Sequence, residues 1–128
     1  MGIVDPTPEQ VAALSELTDD GPVQMINLLQ FNPDGGRSGY RRYLAEAQPH
    51  LARVGGRLVA HSTTRQVVIG EDEHTWWDEI LTVEYPSLAA FLQMVSSESY
   101  QAIAHLRTCA LARAQLIATA PDAVEVSP

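Results

Sequence analysis

Asn27 is a polar residue in the middle of an otherwise mainly apolar stretch, Val23–Phe31, that has the length of a strand. A buried amide without a hydrogen-bond partner costs about 1–3 kcal/mol, so the side chain of Asn27 must bond to something. Two roles meet that requirement. Asn27 either bonds to neighbouring backbone or a helix end, which is structural, or it binds a ligand between the sheet and its helices.

A charged pair is predicted on the hairpin that the second and third strands form. On a strand, Trp77 and Glu79 share one face and Asp78 points to the other. Pairing residue 69 with residue 77 places Arg65 diagonally across from Glu79, within reach of an ion pair. Such a pair either stiffens the sheet or forms a pocket floor where Arg65 binds a carboxylate or an enolate. A shift of one residue in this register would invert every face.

The histidines supply candidate bases but are not spaced for a metal site. They are His50, His61, His74 and His105. They fall on different predicted elements and show neither HxxxH nor HxH spacing, so we expect no metal. His61 lies on the second strand, on the face assigned to Arg65, and His105 lies on the last helical piece. We take His61, His105 and Glu79 as the candidate catalytic groups, each able to move a proton.

The remaining candidates would bind a ligand rather than react with it. They are Asn27, Tyr43, Arg65 and Trp77. The sequence has no GxSxG, P-loop, GxGxxG or paired-carboxylate signature, which disfavours nucleophilic hydrolysis, phosphoryl transfer and dinucleotide binding. We therefore expect no cofactor.

Charge and composition narrow the possible partners. The chain has 128 residues and a net charge of −8, which disfavours binding to nucleic acid. A local basic pocket stays open, because six arginines lie in the first two-thirds of the chain: Arg37, Arg41, Arg42, Arg53, Arg57 and Arg65. Nothing resembles a signal peptide, a basic amphipathic face or an apolar run of about 20 residues, so we expect a cytoplasmic protein that binds no membrane.

The hydrophobic periodicity predicts one small domain after a helical extension. The predicted boundaries are 1–21 for the extension, 22–121 for the domain and 122–128 for a tail. The predicted elements are a helix at 5–18, strands at Val23–Phe31, Arg57–Gly70, Trp76–Tyr85 and Ala114–Ala120, a helix at Arg37–Val54, and a helix from Pro86 to Leu111 interrupted at Ser96-Ser97. Pro49 should kink or split the helix that contains it.

The order β-α-β-β-α-β predicts an α+β, ferredoxin-like domain, with a four-stranded antiparallel sheet and both helices on one face. The first and third strands should be central, yet both carry apolar residues on their two faces. The face without helices would then be a large apolar patch, and such patches mark interfaces. A second copy would cover it with two-fold symmetry. The alternative is a monomer whose extension folds over that face.

Several short segments together match a known pattern. They are Gly21–Phe31, Ile69–Glu79, Val83–Ser87, Ala90–Phe91, Ser99–Ile103 and Leu116–Thr119. From about Gly21 to Ala120 the chain resembles the family called domain of unknown function 1330. That resemblance implies a dimeric α+β barrel and no particular reaction. The wider superfamily includes cofactor-free monooxygenases, lactone isomerases, polyketide cyclases and haem-degrading enzymes, so any of these activities would be an analogy of fold.

Two functions follow as hypotheses. The first is a small-molecule-binding homodimer that is a cofactor-independent enzyme (isomerase, cyclase or monooxygenase) on a small acidic or aromatic substrate. The second is a non-catalytic, ligand-binding or scaffolding homodimer. A haem protein is a weaker alternative: Asn27, Trp77 and His105 resemble the residue types of a haem-degrading site, but the histidine departs from its spacing. The sequence does not identify the substrate.

Overall fold

The structure is a computed structural model, and it describes residues 4–17, 21–70 and 77–121. The elements are α1 (Pro8–Ser15), β1 (Val23–Phe31), α2 (Gly36–Arg53), β2 (Arg57–Thr63), β3 (Glu79–Tyr85), α3 (Leu88–Ser96), α4 (Glu98–Gln101), α5 (Ala104–Ala110) and β4 (Leu111–Thr119). The predicted α+β, ferredoxin-like order is confirmed, with α3 to α5 in place of the second helix. The domain boundaries stay a prediction, and the tail at 122–128 lies outside the described residues.

The four strands form one antiparallel sheet in the order β2-β3-β1-β4, so the first and third strands are central as predicted. Alternate residues of β1 are buried, from Val23 to Phe31. The helices lie on that face, because Phe31 contacts Tyr40 of α2 and Tyr85 contacts Phe91 of α3. We call this the helix face, and the opposite side the open face.

The predicted register of the β2–β3 hairpin was wrong by four residues. His61 lies opposite Leu81, and Thr63 lies opposite Glu79. The strand β2 ends at Thr63 instead of Gly70, because β3 offers paired backbone only from Glu79 onward. A shift of four keeps every side chain on its predicted face, so the hydrophobic pattern cannot distinguish the two registers.

Helix α2 is one continuous element from Gly36 to Arg53, and Pro49 does not split it. Proline inside a helix costs about 3 kcal/mol or more. The buried face of α2, which includes Tyr40, Tyr43 and Ala47, packs on the core. We attribute the continuity of α2 to this packing, since tertiary contacts commonly override local preference.

The extension is anchored on the helix face. Arg107 of α5 donates a hydrogen bond to the backbone oxygen of Val4 at 2.8 Å, and Leu14 of α1 packs against the edge of the core. Ile80 and Ile117, on the open face, remain 37% and 41% exposed. The described part of the extension therefore does not supply the cover that a monomer would need. No described helix is both long and apolar enough to cross a bilayer.

We predict that Gly36→Ala will lower the free energy of unfolding by about 1–3 kcal/mol, because overpacking forces backbone shifts. A Cβ at Gly36 would lie 2.4 Å from the backbone oxygen of Ala110. Urea unfolding measures the change. The control is Gly39→Ala, whose Cβ meets Ala110 at an ordinary 3.4 Å and which should be neutral or stabilising. Equal effects of the two substitutions would contradict this account.

Candidate functional site

A buried carboxylate, Glu79, is the centre of a polar cluster on the helix face. Its side chain is 0% exposed. Arg41 Nη2 donates to Oε2 of Glu79 at 2.6 Å, and Arg37 Nη1 donates to the same oxygen. Nε2 of His61 lies 2.5 Å from the other oxygen, Oε1. We call these four residues the Glu79 cluster.

Two elements bring the cluster together. Arg37 and Arg41 are one turn apart in the first part of α2, so both side chains reach the same side of the helix. His61 lies diagonally across the hairpin from Glu79, two residues before Thr63. The ring of Phe31 lies under Arg37, with 4.9 Å from its centre to the guanidinium carbon. The cluster therefore sits where the start of α2 meets the sheet.

The cluster keeps Glu79 ionised. Burial opposes ionisation and by itself would raise the pKa of Glu79, but hydrogen bonds and charge from Arg41 and His61 outweigh it. The net result is a pKa below the ordinary value. A buried carboxylate that holds its charge in this way is a permanent acceptor at neutral pH.

The ionised carboxylate also determines how His61 is protonated. Because Glu79 can only accept, Nε2 of His61 must carry the hydrogen in their contact. In the neutral imidazole the lone pair is then on Nδ1. The side chain of His61 is 27% exposed, while Glu79 beneath it is not exposed. Among the described residues, the only hydrogen-bond partner of the His61 ring is Glu79. A histidine oriented by a carboxylate through one nitrogen, with its second nitrogen able to accept a proton, is the arrangement of a general base.

Asn27 is buried, and its amide bonds to backbone. Its Nδ2 donates to the backbone oxygens of Met25 and Leu81, each at 3.3 Å. Asn27 lies opposite Leu81, and Glu79 lies opposite Leu29. All four residues are buried, so Asn27 and Glu79 face the same side of the sheet. This placement fits the structural alternative for Asn27.

Tyr43 lies in the core, and its hydroxyl is 2.7 Å from that of Tyr100. Burial raises the pKa of Tyr43 well above its ordinary value, and burial likewise raises the pKa of Tyr40 to about 12. These phenols stay protonated across the physiological range. Tyr43 is therefore placed as a core residue, away from the contacts of the Glu79 cluster.

The other predicted site residues lie outside the cluster. The prediction that Arg65 pairs with Glu79 was wrong: Arg65 follows β2 and is exposed, and His61 occupies the diagonal position. Trp77 stacks with the guanidinium of Arg113 at 4.1 Å. His105 is exposed on α5. Among the described residues no hydrogen bond or ring contact joins His105 to Trp77, and His74 lies outside them.

The arginines of the cluster were not singled out from the sequence, where they were two of six candidates for a basic pocket. Their spacing of four residues on one predicted helix was the available signal. Within the described parts of the chain, no three His, Cys, Asp or Glu side chains are grouped to hold a metal ion.

A surface cleft of about 400 Å³ adjoins the cluster, and Arg37 belongs to both. We call it the α2 cleft. Its lining residues are Phe31, Asn32, Pro33, Gly35, Gly36, Arg37, Ser38 and Asp78. Oδ2 of Asp78 accepts a hydrogen bond from the backbone of Phe31 at 2.8 Å. The cleft thus offers an apolar ring and a guanidinium group side by side.

Several solved structures share this fold. A protein of unknown function from Rhodopseudomonas palustris, RPA0582, is 30% identical with a TM-score of 0.89, covering 97% of this chain and 100% of that chain. A dimeric ferredoxin-like protein of unknown function from Jannaschia sp. CCS1 is 10% identical with a TM-score of 0.61, covering 79% of this chain and 100% of that chain. An uncharacterised NIPSNAP domain protein from Burkholderia xenovorans is 13% identical with a TM-score of 0.59, covering 83% and 99%.

The comparisons identify a family but no reaction. No functionally curated protein matches the chain. The profile of a family described as a domain of unknown function, DUF1330, matches residues 35–120. Since that match spans most of the sequence, and the protein from R. palustris is similar over nearly the whole of both chains, the chain belongs to the DUF1330 family and has its ferredoxin-like fold.

Proposed function

We propose that the protein is a homodimer that binds a small acidic or aromatic molecule and catalyses proton transfer on it without a cofactor. The observation that carries this proposal is the His61–Glu79 contact, in which a partly exposed histidine is oriented by a wholly buried, ionised carboxylate. Of the reactions considered from the sequence, isomerisation through an enolate fits this geometry best, because it needs only a base and a group that stabilises negative charge.

The proposed reaction begins at Nδ1 of His61. This nitrogen removes a proton from a carbon next to a carbonyl group, and the electron pair of the broken C–H bond becomes the enolate. The resulting imidazolium is stabilised by Glu79. We assign the stabilisation of the developing negative charge to the N–H groups of Arg37 and Arg41 that do not bond to Glu79. Return of the proton to a second position completes an isomerisation with all atoms and charges balanced.

The homodimer is supported by the open face. Ile80 and Ile117 on this face are more than a third exposed, and Ile26 and Leu28 are partly exposed between them. The described extension does not cover them. The Jannaschia protein with the same fold is named as dimeric, which agrees with a second copy packed on this face.

The second candidate function is a non-catalytic, ligand-binding or scaffolding homodimer. The backbone hydrogen bonds of Asn27 and the contact between Tyr43 and Tyr100 favour it, because they show polar groups serving the core. Haem is not proposed, because His105 is exposed and is not in contact with Trp77.

Solvent deuterium exchange tests the catalytic proposal. We expect the protein in D₂O to accelerate exchange of the benzylic protons of phenylpyruvate, a small acidic and aromatic probe, as followed by NMR. His61→Asn should reduce the acceleration at least about 100-fold, the usual contribution of a general base. His50→Asn, on α2 and away from the Glu79 cluster, is the matched control. If wild type and His61→Asn exchange the probe at the same rate, the non-catalytic candidate replaces this one.

A further inference from the structure

We infer that Arg37 and Arg41 together bind the carboxylate of a small monocarboxylic acid, whose apolar body lies on Phe31 in the α2 cleft. This inference rests on the proposed function for its link to catalysis and narrows the substrate class to carboxylate monoanions. The predicted carboxylate-binding residue was Arg65, and the structure provides this pair in its place.

The first support is the number of unused donors. A guanidinium group has five N–H donors in a rigid fork. Arg37 and Arg41 each use one nitrogen for Glu79, and both bonds converge on a single oxygen. The two side chains are 50% and 44% exposed, and within the described residues their hydrogen bonds go to Glu79 alone. The two forks can therefore bind a planar carboxylate from solution without giving up Glu79.

The second support is the local charge. Two arginines against one carboxylate leave a charge of +1 when His61 is neutral, which matches a monoanion. Asp78 precedes β3 and also lines the α2 cleft, where its carboxylate accepts a hydrogen bond from the Phe31 backbone. The positive charge is therefore confined to the two guanidinium groups and does not extend over the whole cleft. The chain as a whole has a net charge of −8, but the surface around these two guanidinium groups is locally positive and would attract anions.

The charges of the cluster and of the bound acid also stay matched during the proposed reaction. When His61 takes a proton from the bound acid, the charge of the cluster rises to +2 while that of the substrate falls to −2. A guanidinium group binds phosphate as well as carboxylate, but a phosphate dianion would exceed the +1 charge of the cluster before that step. We therefore assign a carboxylate in preference to a phosphate.

The third support is the surface beside the arginines. Phe31 lies directly under the guanidinium of Arg37 and also lines the α2 cleft. An acid whose carboxylate meets Arg37 and Arg41 would thus place a neighbouring ring or alkyl group next to Phe31. Benzoate has these two parts, and benzamide has the same shape without the charge.

Calorimetric titration with benzoate and benzamide tests the inference on the full chain. Wild type should bind benzoate at least about 10-fold more tightly than benzamide, as expected for charge-assisted hydrogen bonds. Arg41→Gln and Arg37→Gln should each weaken benzoate binding about 10-fold, and Arg41→Lys should weaken it by less. Arg42→Gln, an exposed arginine on the same helix, is the matched control and should not change it.

Three results would overturn the inference: equal binding of benzoate and benzamide, an equal loss in Arg42→Gln, or binding of inorganic phosphate in preference to benzoate. Far-UV circular dichroism confirms that each variant is folded, and Arg41→Lys keeps the test valid if glutamine destabilises the chain. Arginine-dependent benzoate binding without phenylpyruvate exchange would support this inference and contradict the catalytic proposal. Exchange that needs His61, together with benzoate binding that is unaffected by Arg37→Gln and Arg41→Gln, would support the catalytic proposal and contradict this inference.

Discussion

Glu79→Leu is expected to leave the fold about as stable as wild type while it abolishes the proposed proton transfer. Replacing a whole buried ion pair by apolar residues is often neutral or stabilising by about 1–4 kcal/mol, whereas removing one partner is costly only if the other charge stays buried. Arg37 and Arg41 are each about half exposed, so both can turn into water when the carboxylate is removed. Glu79→Ala should instead lose about 2–3 kcal/mol, since it also leaves a cavity.

The stability of Glu79→Leu at acid pH gives a second measurement. Because the pKa of Glu79 is lowered in the fold, the unfolded chain binds more protons as the pH falls. The stabilising contribution is complete above the ordinary pKa of 4.5 and is lost as the pH falls through the lower folded value. Urea unfolding should therefore show a shallower decline at acid pH for Glu79→Leu than for wild type. The pKa of Glu84 is also lowered, by Gln24 and Arg57, so only the difference between the two proteins is informative.

A large loss of stability in Glu79→Leu, equal to that in Glu79→Ala, would contradict this account. It would mean that the cluster is needed to hold α2 on the sheet. That result would assign the Glu79 cluster a structural role. If Glu79→Leu keeps the stability of wild type but no longer exchanges the protons of phenylpyruvate, the carboxylate serves the proposed reaction and is not needed for the fold.

Ile80→Asp is expected to convert the proposed dimer to single subunits. Ile80 lies on the central strand β3, between Leu28 of β1 and Ser62 of β2, and is 37% exposed on the open face. A carboxylate at this point would be buried without a partner in a sheet-to-sheet dimer, and such a change near the centre of an interface costs about 2 kcal/mol or more. The dissociation constant should rise at least about 30-fold, as measured by sedimentation equilibrium.

Val11→Asp is the matched control for this experiment. Val11 is 47% exposed on α1, which is not part of the sheet, so a charge there should leave the dimer intact. Wild type that sediments as a single subunit at micromolar concentration would contradict the dimer, and so would an Ile80→Asp protein that remains dimeric.

The sequence was sufficient to predict the order of elements and the faces of the sheet. Alternation along Val23–Phe31 and the caps and breaks between segments are local signals, and the structure follows them. The sequence also contains the information that Glu79 is on the helix face, because residues two apart on a strand share a face and Leu81 lies on that face.

The site itself depended on distances along the chain that local patterns do not encode. A hairpin register that differs by four residues has the same parity, so the sequence could not separate Arg65 from His61 as the neighbour of Glu79. Arg37 and Arg41 are 42 and 38 residues away from Glu79 in the sequence. They approach it only because α2 packs across the sheet. Long-range packing of this kind leaves no periodic signal.

The tight fit of Gly36 has a consequence for the chemistry of the cluster. Gly36 touches the backbone at the junction of α5 and β4, and Arg37 follows it directly in the same helix. A rigid helix that tilts at one end moves every side chain on it. A displacement at that junction would therefore move the guanidinium groups of α2 relative to Glu79. Natural variation at that junction would therefore change the distance between the guanidinium groups and the carboxylate, and with it the proposed preference for one acid over another, without replacing a charged residue.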